Sequence, residues 1–493
     1  MQFFKRTIFT ISLLTCLSSI IWGNNVQVSN VSFNPIGNAG QITFDISWEN
    51  SWRQGINDQY HDAVWVFVKF APNGGPQWLH ADIQVTSSGS NIEVLEPNDL
   101  KGAFIRRANQ GMGTVPVSSV TFDVNNNTGL YPDFKVFAIE MVYIPQGPFY
   151  LGDGASDGRF HVGNDVNQPY LVTNSAALKI GTSSTEINSL VNTPPIDIPA
   201  TYPNGYDAFY CMKYEVTQGQ YIEFLHTLDR GQQNNHTATD ISGTNITNVY
   251  VMLNSTTNLG RRQGIKCPAI LTTSSPVEFY CDFDNDNIGN EINDGQNIIT
   301  RHVNDDDYYA YLDWAALRPM TELEYEKACR GPLPPVANEM AWGSTVFTNF
   351  NTLDITNPGS PDESVSQAGT SAGIISNNSA TTASMRAGFA ATPSSSRTLS
   401  GAGYYGVLDL SGNGNEVTIS AATTGSLHFT GVLGDGMLDP QGLANEADWQ
   451  GRSEMIRGLL STGSNHTVSD RFSSGGLGSP RIDIGAIRGV RQF

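Results

Sequence analysis

The sequence contains little charge, and basic residues are the scarcer kind. Only 15% of its 493 residues are charged, and 47 Asp and Glu residues outnumber 27 Lys and Arg residues, for a formal net charge of −20. An average soluble protein carries about 25% charged residues. Because an acidic surface repels a polyanion, this balance argues against nucleic acid as a partner. The 49 glycines favour an exported protein rich in loops and strands.

Cysteine is also scarce, and its placement excludes several kinds of site. The chain has five cysteines, none of them in a CxxC pair and none after Cys329. The eight histidines are scattered and include no HExxH pair. These absences argue against a zinc ribbon, a CxxC redox centre and a metalloprotease of the HExxH type.

A long hydrophobic run occurs only near the N-terminus. Residues 7–22 are mostly apolar, follow Lys5 and Arg6, and precede a polar segment, which predicts a signal peptide over residues 1–23. The run is shorter than the roughly 20 residues that a spanning helix needs. We therefore expect export to the cell surface, the periplasm or the medium, with no transmembrane segment after cleavage. Cys16 lies in a weak match to a lipoprotein box, so acylation there is the alternative.

The cysteines that follow the predicted cleavage site are even in number: Cys211, Cys267, Cys281 and Cys329. In an exported chain this count favours two disulfides, although four cysteines permit three pairings. Cys267 with Cys281 is the first expectation, because the two bracket one short loop.

Residues 24–136 have the pattern of an all-β domain. Residues 41–48 place Ile42, Phe44, Ile46 and Trp48 on one face with polar residues between them, as in a half-buried strand. Residues 63–70 are uniformly apolar and indicate a central strand. Turn-rich segments punctuate the region, which favours an immunoglobulin-like sandwich by analogy of architecture.

Residues 137–493 form the second predicted domain, which contains helix signals. Thr217 with Gln220 and Thr321 with Glu324 make capping boxes ahead of apolar helical faces. Residues 305–314 begin with three acids, which the helix dipole favours at a helix start.

Five short segments of this region occur in the same order as the motifs of a known protein family. They are residues 141–147 (MVYIPQG), 214–217 (YEVT), 318–326 (RPMTELEYE), 411–416 (SGNGNE) and 485–491 (GAIRGVR). As a set they resemble the sulfatase-modifying, formylglycine-generating enzyme family. The resemblance implies an α+β domain of C-type-lectin-like fold, with much stabilised loop, behind the β-sandwich.

The family's thiol chemistry is not expected here. The resemblance implies a catalytic cysteine pair between Arg457 and Phe493, where this sequence has no cysteine. A serine hydroxyl cannot replace a thiolate that ligates copper or attacks a sulfur. We therefore assign no catalytic residue and do not expect formylglycine formation.

Calcium is the cofactor that the sequence suggests. The resemblance places Asn413, the Gly414 carbonyl and Glu416 on one calcium site, and Asn349 with the Phe350 carbonyl on part of another. Such oxygen ligands suit this metal, whereas the alternative is that these groups cap turns.

A separate acidic segment has a pattern of its own. Asp282, Asp284 and Asp286 alternate as at the start of a calcium loop, but Asn287 stands where glycine is wanted and Asn293 where a bidentate glutamate belongs. A solvated acidic turn is the alternative.

The function that these features favour is a non-catalytic surface module for binding or assembly. The expected ligand surface comprises the loop around Trp449 and the polar residues Ser461, Thr462, Ser464, Asn465, His466 and Arg471. The expected partner is a surface protein, a polar ligand or a second copy of the chain, while plain solvation of the loop is the alternative. For Arg471, as for Arg457, Arg488 and Arg491, a second expectation is that it orders the core loops by hydrogen bonds to carbonyls, since arginine offers five donors in fixed geometry. The rival function is a metal-dependent oxidase of the family with a changed active site.

Overall fold

The computed structural model describes the chain from residue 26 to residue 493, apart from 38, 127–131, 156–158, 189–195, 259–261, 273–274, 351–353, 377–383, 393, 459–466, 472, 475–480 and 482–484. The expected signal peptide, Cys16 and the expected ligand residues Ser461, Thr462, Ser464, Asn465 and His466 lie outside the described residues. Within the described part, no helix is long and apolar enough to cross a membrane.

Strands are more numerous than helices among the described residues. In chain order they are β1 (Gln27–Ile36), β2 (Ala39–Gln54), β3 (Tyr60–Ala71), β4 (Leu79–His80), β5 (Ile83–Ser88), β6 (Ile92–Leu95), β7 (Ala103–Arg107), β8 (Gly111–Val124), β9 (Asp133–Ile144), β10 (Phe149–Leu151), β11 (His161–Val162), β12 (Tyr170–Val172), β13 (Ile187–Asn188), β14 (Phe209–Met212), β15 (Ile265–Lys266), β16 (Tyr280–Cys281), β17 (Arg318–Pro319), β18 (Thr348–Phe350), β19 (Ile355–Thr356), β20 (Ser364–Val365), β21 (Ile374–Ser376), β22 (Asn415–Ile419), β23 (Glu454–Arg457), β24 (Ser473–Ser474), β25 (Gly485–Ala486) and β26 (Gly489–Arg491).

Helices are few and short. The α-helices of the described residues are α1 (Gln218–Leu225), α2 (Arg230–Asn235), α3 (Asp305–Trp314), α4 (Glu322–Arg330) and α5 (Arg397–Ser400). A large sheet with a few helices makes this a mixed α and β structure.

Strand β2 confirms the alternation that the sequence predicts. Ile42, Phe44 and Ile46 are fully buried and Trp48 is almost so, whereas the residues between them are partly exposed. These side chains pack in one apolar cluster with residues of β3, β5, β6, β7 and β8. A side-chain period of two puts a whole row of large side chains on one face, and that row forms the N-terminal core.

Strand β3 is buried on both faces, as its uniformly apolar sequence predicts. Val64 and Val66 face the N-terminal core. Trp65 and Phe67 face a second, larger core, to which helices α1 and α3 contribute. Trp65 also donates its indole N–H to the carbonyl of Ala315 at 2.9 Å. Strand β3 therefore joins the N-terminal strands to the helical part.

Strand β9 continues the same sheet into the C-terminal part. It pairs antiparallel with β3 on one edge and with β14 on the other. The sheet has twelve strands, and eight of them follow each other in the order β17-β26-β14-β9-β3-β2-β8-β5. The other four, β1, β4, β6 and β7, pair with strands beside this path. The boundary expected at residues 136 and 137 lies inside β9, so the two parts of the chain share one sheet.

The helix starts follow the predicted capping boxes. At α1 the Thr217 hydroxyl accepts from the Gln220 N–H at 3.3 Å, and the Gln220 side chain accepts from the Thr217 N–H at 3.0 Å. Thr321 and Glu324 make the same reciprocal pair at α4. Each box satisfies two N–H groups that have no partner within the helix. These caps fix where α1 and α4 begin. Helix α4 also carries the buried carboxylates of Glu322, Glu324 and Glu326.

Candidate functional site

A cavity of about 510 Å³ opens where β2 meets the loops of the C-terminal part. Aromatic rings line much of it, namely Trp52 from the end of β2 and Tyr214, Tyr404 and Tyr405 from the C-terminal part. Close packing sets the position of Trp52, because a Cβ on Gly406 would lie 2.8 Å from its ring. Residues from both parts of the chain therefore line the cavity.

A buried ion pair forms one wall of the cavity. The Lys213 ammonium lies 2.7 Å from Glu140 Oε2 and about 5.1 Å from the centre of the Trp52 ring. Burial raises the pKa of the Glu140 carboxyl to about 7, against the opposing effect of Lys213. This pair holds the lysine against the tryptophan rather than offering it as a free base.

Two arginines add positive charge to the lining. Arg386 donates to the carbonyls of Glu363, Ala387 and Gly388. Arg397 likewise donates to carbonyls, among them that of Ala341 at 2.7 Å. Carbonyls orient a guanidinium group but do not neutralise its charge. Among the described residues of the lining, Glu49 is the one acid beside Lys213, Arg386 and Arg397, so this lining is more basic than the chain as a whole.

The four described cysteines are buried free thiols, and none lines the cavity. Burial raises the pKa of Cys211 to about 12 and that of Cys267 to about 11, and it also raises the pKa of Cys281 and of Cys329. A thiol needs its thiolate form to attack or to bind a metal. These four thiols are therefore poorly suited to redox work.

The expected disulfides are not formed in the structure. Cys267 and Cys281 do come close along neighbouring strands, since Cys281 ends β16 and Cys267 follows β15. The residue opposite Cys281 is Ile265, however, which puts Cys267 out of register with it. The Cys267–Cys281 pairing is therefore not shown, because sequence spacing brings two strands together without setting their register.

A buried carboxylate cluster lies at the first site that the resemblance implies. Glu416 Oε1 accepts from Arg488 Nε at 2.8 Å. Glu215 lies beside it, since a Cβ on Gly414 would be 2.3 Å from Glu215 Oε1. Both oxygens of Glu215 and Oε2 of Glu416 are buried without a hydrogen-bond partner. Burial, and then the charge of Glu416, raises the pKa of Glu215 well above its usual range.

The donor atoms of this cluster fit a hard cation only in part. The unpartnered oxygens of Glu215 and Glu416 are suitable donors, because a buried carboxylate oxygen needs a cation, a donor or a proton. The Asn413 amide oxygen is already engaged, since it accepts from the Met385 N–H at 2.8 Å. Glu215 was missed from the sequence, as was Asp409, whose Oδ2 accepts from the Gly388 N–H at 2.6 Å.

The second site implied by the resemblance lies in β18. Asn349 is exposed, whereas Phe350 is buried in an apolar cluster with Val365 and Met385. Strand β18 pairs in parallel with β21. A calcium site at Asn349 and Phe350 stays a prediction.

The acidic segment after β16 does gather its carboxylates, but in a different grouping. Asp282 and Asp284 lie together with Asp294, whereas Asp286 lies with Asp284 and Glu291. Asp294 and Glu291 were missed from the sequence because the loop between them and Asp286 folds back on itself.

Two residues of the expected ligand surface are buried. Trp449 is 2% exposed and donates its indole N–H to the Val432 carbonyl at 2.9 Å. Arg471 is also 2% exposed and makes a bidentate pair with Glu322, at 2.7 and 2.9 Å. Neither residue presents a binding surface. Arg471 instead fits the other expectation, that it orders a core loop, although its partner is the Glu322 carboxylate and not a carbonyl.

Arg471 belongs to a buried network of arginines and glutamates on helix α4. Arg457 donates to Glu322 at 3.0 Å and to Glu326 at 2.7 Å, and Arg330 donates to Glu326 at 3.1 Å. Every charged group here has a partner of opposite sign, so the network orders the segment around Arg457 and Arg471 against α4. Arg457 and Arg471, which lie in the stretch where the resemblance implies reactive cysteines, are thus held against α4 by ion pairs.

Comparison with protein families gives the identity of the C-terminal part. Residues 130–465 match the family described as the sulfatase-modifying factor enzyme 1-like domain. This match spans most of the chain, and the protein therefore belongs to that family. No significant match is found among curated proteins.

Proposed function

We propose that this family member is an exported, non-catalytic binding protein whose ligand site is the cavity at Trp52. The observation that carries the proposal is the separation of thiols from the cavity. The thiols are buried with raised pKa values, and the cavity is lined by rings and cations instead. A site built this way can hold a ligand but offers no thiolate for oxidation.

The lining indicates the chemistry of the ligand. Flat aromatic rings such as Trp52, Tyr404 and Tyr405 stack well on sugar rings or planar groups. Arg386 and Arg397 keep charges that an anionic group would neutralise, and guanidinium groups match carboxylates geometrically. We therefore propose a polar, acidic ligand, either an acidic oligosaccharide or an acidic segment of a surface protein.

The finer architecture and the location belong to the same proposal. The apolar core shared by strands β2, β3, β5, β6, β7 and β8 supports an immunoglobulin-like sandwich over residues 24–136. The family supports a C-type-lectin-like arrangement for residues 137–493. The apolar N-terminal run supports export to the cell surface, the periplasm or the medium.

The test is a binding titration with the chain from residue 24 to residue 493. A panel of acidic oligosaccharides and acidic peptides is titrated while tryptophan fluorescence and heat are recorded. We expect saturable binding by at least one class, weakened by about tenfold or more in Trp52→Ala, because burial of a large apolar side chain contributes about 1.5–3 kcal/mol.

Trp78 supplies a matched control, because it is also a half-exposed tryptophan of the N-terminal part that contacts a lysine. Trp78→Ala should bind as the wild type does. Equal losses in both variants, or wild-type binding by Trp52→Ala, would move the ligand away from the cavity.

A metal-dependent oxidase with a changed active site is the second candidate. The unpartnered oxygens of Glu215 and Glu416 favour it, because a metal would satisfy them. The test is the metal content of protein purified without chelator. Stoichiometric copper or iron that is lost in Glu416→Gln supports the oxidase, whereas the binding proposal predicts neither metal.

A further inference from the structure

The loop after β16 concentrates acidic side chains around a small volume. Oxygen atoms of Asp282, Asp284 and Asp294 lie within 4.8 Å of one another, and so do those of Asp284, Asp286 and Glu291. Asp284 belongs to both groups. Such a cluster is costly in isolation, because like charges at this distance repel each other.

Two of these carboxylates are buried and only half satisfied. Asp282 and Asp294 are fully buried. Asp282 Oδ2 lies 2.6 Å from the Lys266 ammonium, and Asp294 Oδ2 accepts from the Glu291 N–H at 2.7 Å. The Oδ1 atoms of Asp282 and Asp294 have no hydrogen-bond partner.

Negative charge is in excess in this loop. Among the described residues, Lys266 is the cation that pairs with the cluster, and its ammonium reaches Asp282 and the Asn287 side chain. Within that part of the chain, five carboxylates therefore face one ammonium.

We propose that Asp282, Asp284 and Asp294 bind one calcium ion. The ligands are hard oxygens and include no imidazole or thiolate, which favours calcium over zinc or copper. The ion would satisfy the two buried Oδ1 atoms and offset the excess negative charge. This site is separate from the cavity and from the Glu215–Glu416 cluster, and it does not depend on the proposed function.

Tyr250 lies beside the proposed site and provides a direct readout of ion binding. The Tyr250 hydroxyl donates to the Asp282 carbonyl at 3.1 Å and to Asn285 Oδ1 at 2.8 Å. Terbium bound in place of calcium should therefore give luminescence on excitation of tyrosine, and calcium should quench that signal by displacement. Calcium affinity is measured in parallel by calorimetry on the chain from residue 24 to residue 493, where we expect a dissociation constant of about 10⁻⁴–10⁻³ M.

The decisive variant is Asp284→Asn, because Asp284 is exposed and its loss should leave the fold intact. We expect calcium binding to weaken by about tenfold or more, since affinity follows the number of charged ligands. Asp240→Asn is the matched control, because Asp240 is an exposed loop aspartate that accepts from the Ser242 N–H at 2.9 Å. This control should keep wild-type affinity.

Melting temperatures separate loss of binding from loss of fold. In EDTA, Asp284→Asn should melt at or slightly above the temperature of the wild type, because it removes one of the mutually repelling charges. Added calcium should raise the melting temperature of the wild type and of Asp240→Asn, and should raise that of Asp284→Asn much less. Absence of calcium binding at millimolar concentration, or wild-type affinity in Asp284→Asn, would overturn the proposal. Loss of binding in Glu416→Gln but not in Asp284→Asn would place the ion at the Glu215–Glu416 cluster and would overturn it too.

Discussion

The buried thiols lead to a quantitative prediction about chemical labelling. The chain from residue 24 to residue 493 contains four cysteines, Cys211, Cys267, Cys281 and Cys329. The perturbation is unfolding in urea, and the reporter is a thiol reagent added without reductant. We expect all four to react after unfolding and none to react at an appreciable rate in the native protein.

The magnitude follows from the pKa of each thiol. With a pKa of about 12, the Cys211 thiol of the native protein is ionised to roughly one part in 10⁵ at pH 7. A free cysteine with a pKa of about 8.5 is ionised to about 3% at the same pH. The thiolate fraction alone therefore slows labelling roughly 3,000-fold, and full burial of the sulfur slows it further.

Two results would refute this reasoning. Labelling of a thiol in the native protein at the rate of free cysteine would mean that this thiol is exposed or activated. A count of zero thiols after unfolding would mean that two disulfides exist, as sequence spacing had favoured. Mass spectrometry of the labelled peptides identifies the cysteine in each case.

Three further predictions test the interior. Arg457→Met should lower the free energy of unfolding by about 3–5 kcal/mol in urea titrations, because it leaves the buried carboxylates of Glu322 and Glu326 with fewer cations. Lys101→Met is the control: it breaks a partly exposed pair with Asp82 and should lower the free energy of unfolding by about 1 kcal/mol or less. The pKa of His61 is lowered to about 4 by burial, so the unfolded chain binds the proton first and stability falls as pH drops from about 6.5 to about 4. That loss should reach roughly 3 kcal/mol, and His61→Gln should remove it; an equal acid loss in the variant contradicts the assignment. Thr217→Ala should cost about 1 kcal/mol through the lost helix cap, and no change would mean that the capping box does not stabilise α1.

Local sequence patterns predicted the parts of the fold that depend on neighbouring residues. The alternation of Ile42, Phe44 and Ile46 predicted β2, because a strand repeats its side-chain direction every two residues. The capping boxes at Thr217 and Thr321 predicted the starts of α1 and α4 in the same way. The order of family motifs added the class of the C-terminal part.

The candidate sites depended on contacts between distant segments, which local patterns do not contain. Glu215 and Glu416 are about two hundred residues apart in the sequence, and it is the packing of Glu215 against Gly414 that brings the two carboxylates together. Asp294 joins Asp282 because the intervening loop reverses direction. A polar composition suggested that Arg471 was exposed, whereas its partner Glu322 lies on a remote helix and buries it.

We propose that this family member holds a ligand and does not oxidise thiols. Oxygen uptake by the chain from residue 24 to residue 493, supplied with copper and a cysteine-containing peptide, tests this proposal most directly. We expect uptake no faster than that of copper and peptide alone. Sustained turnover that is lost in Glu416→Gln would contradict it and would assign catalysis to the buried carboxylate cluster.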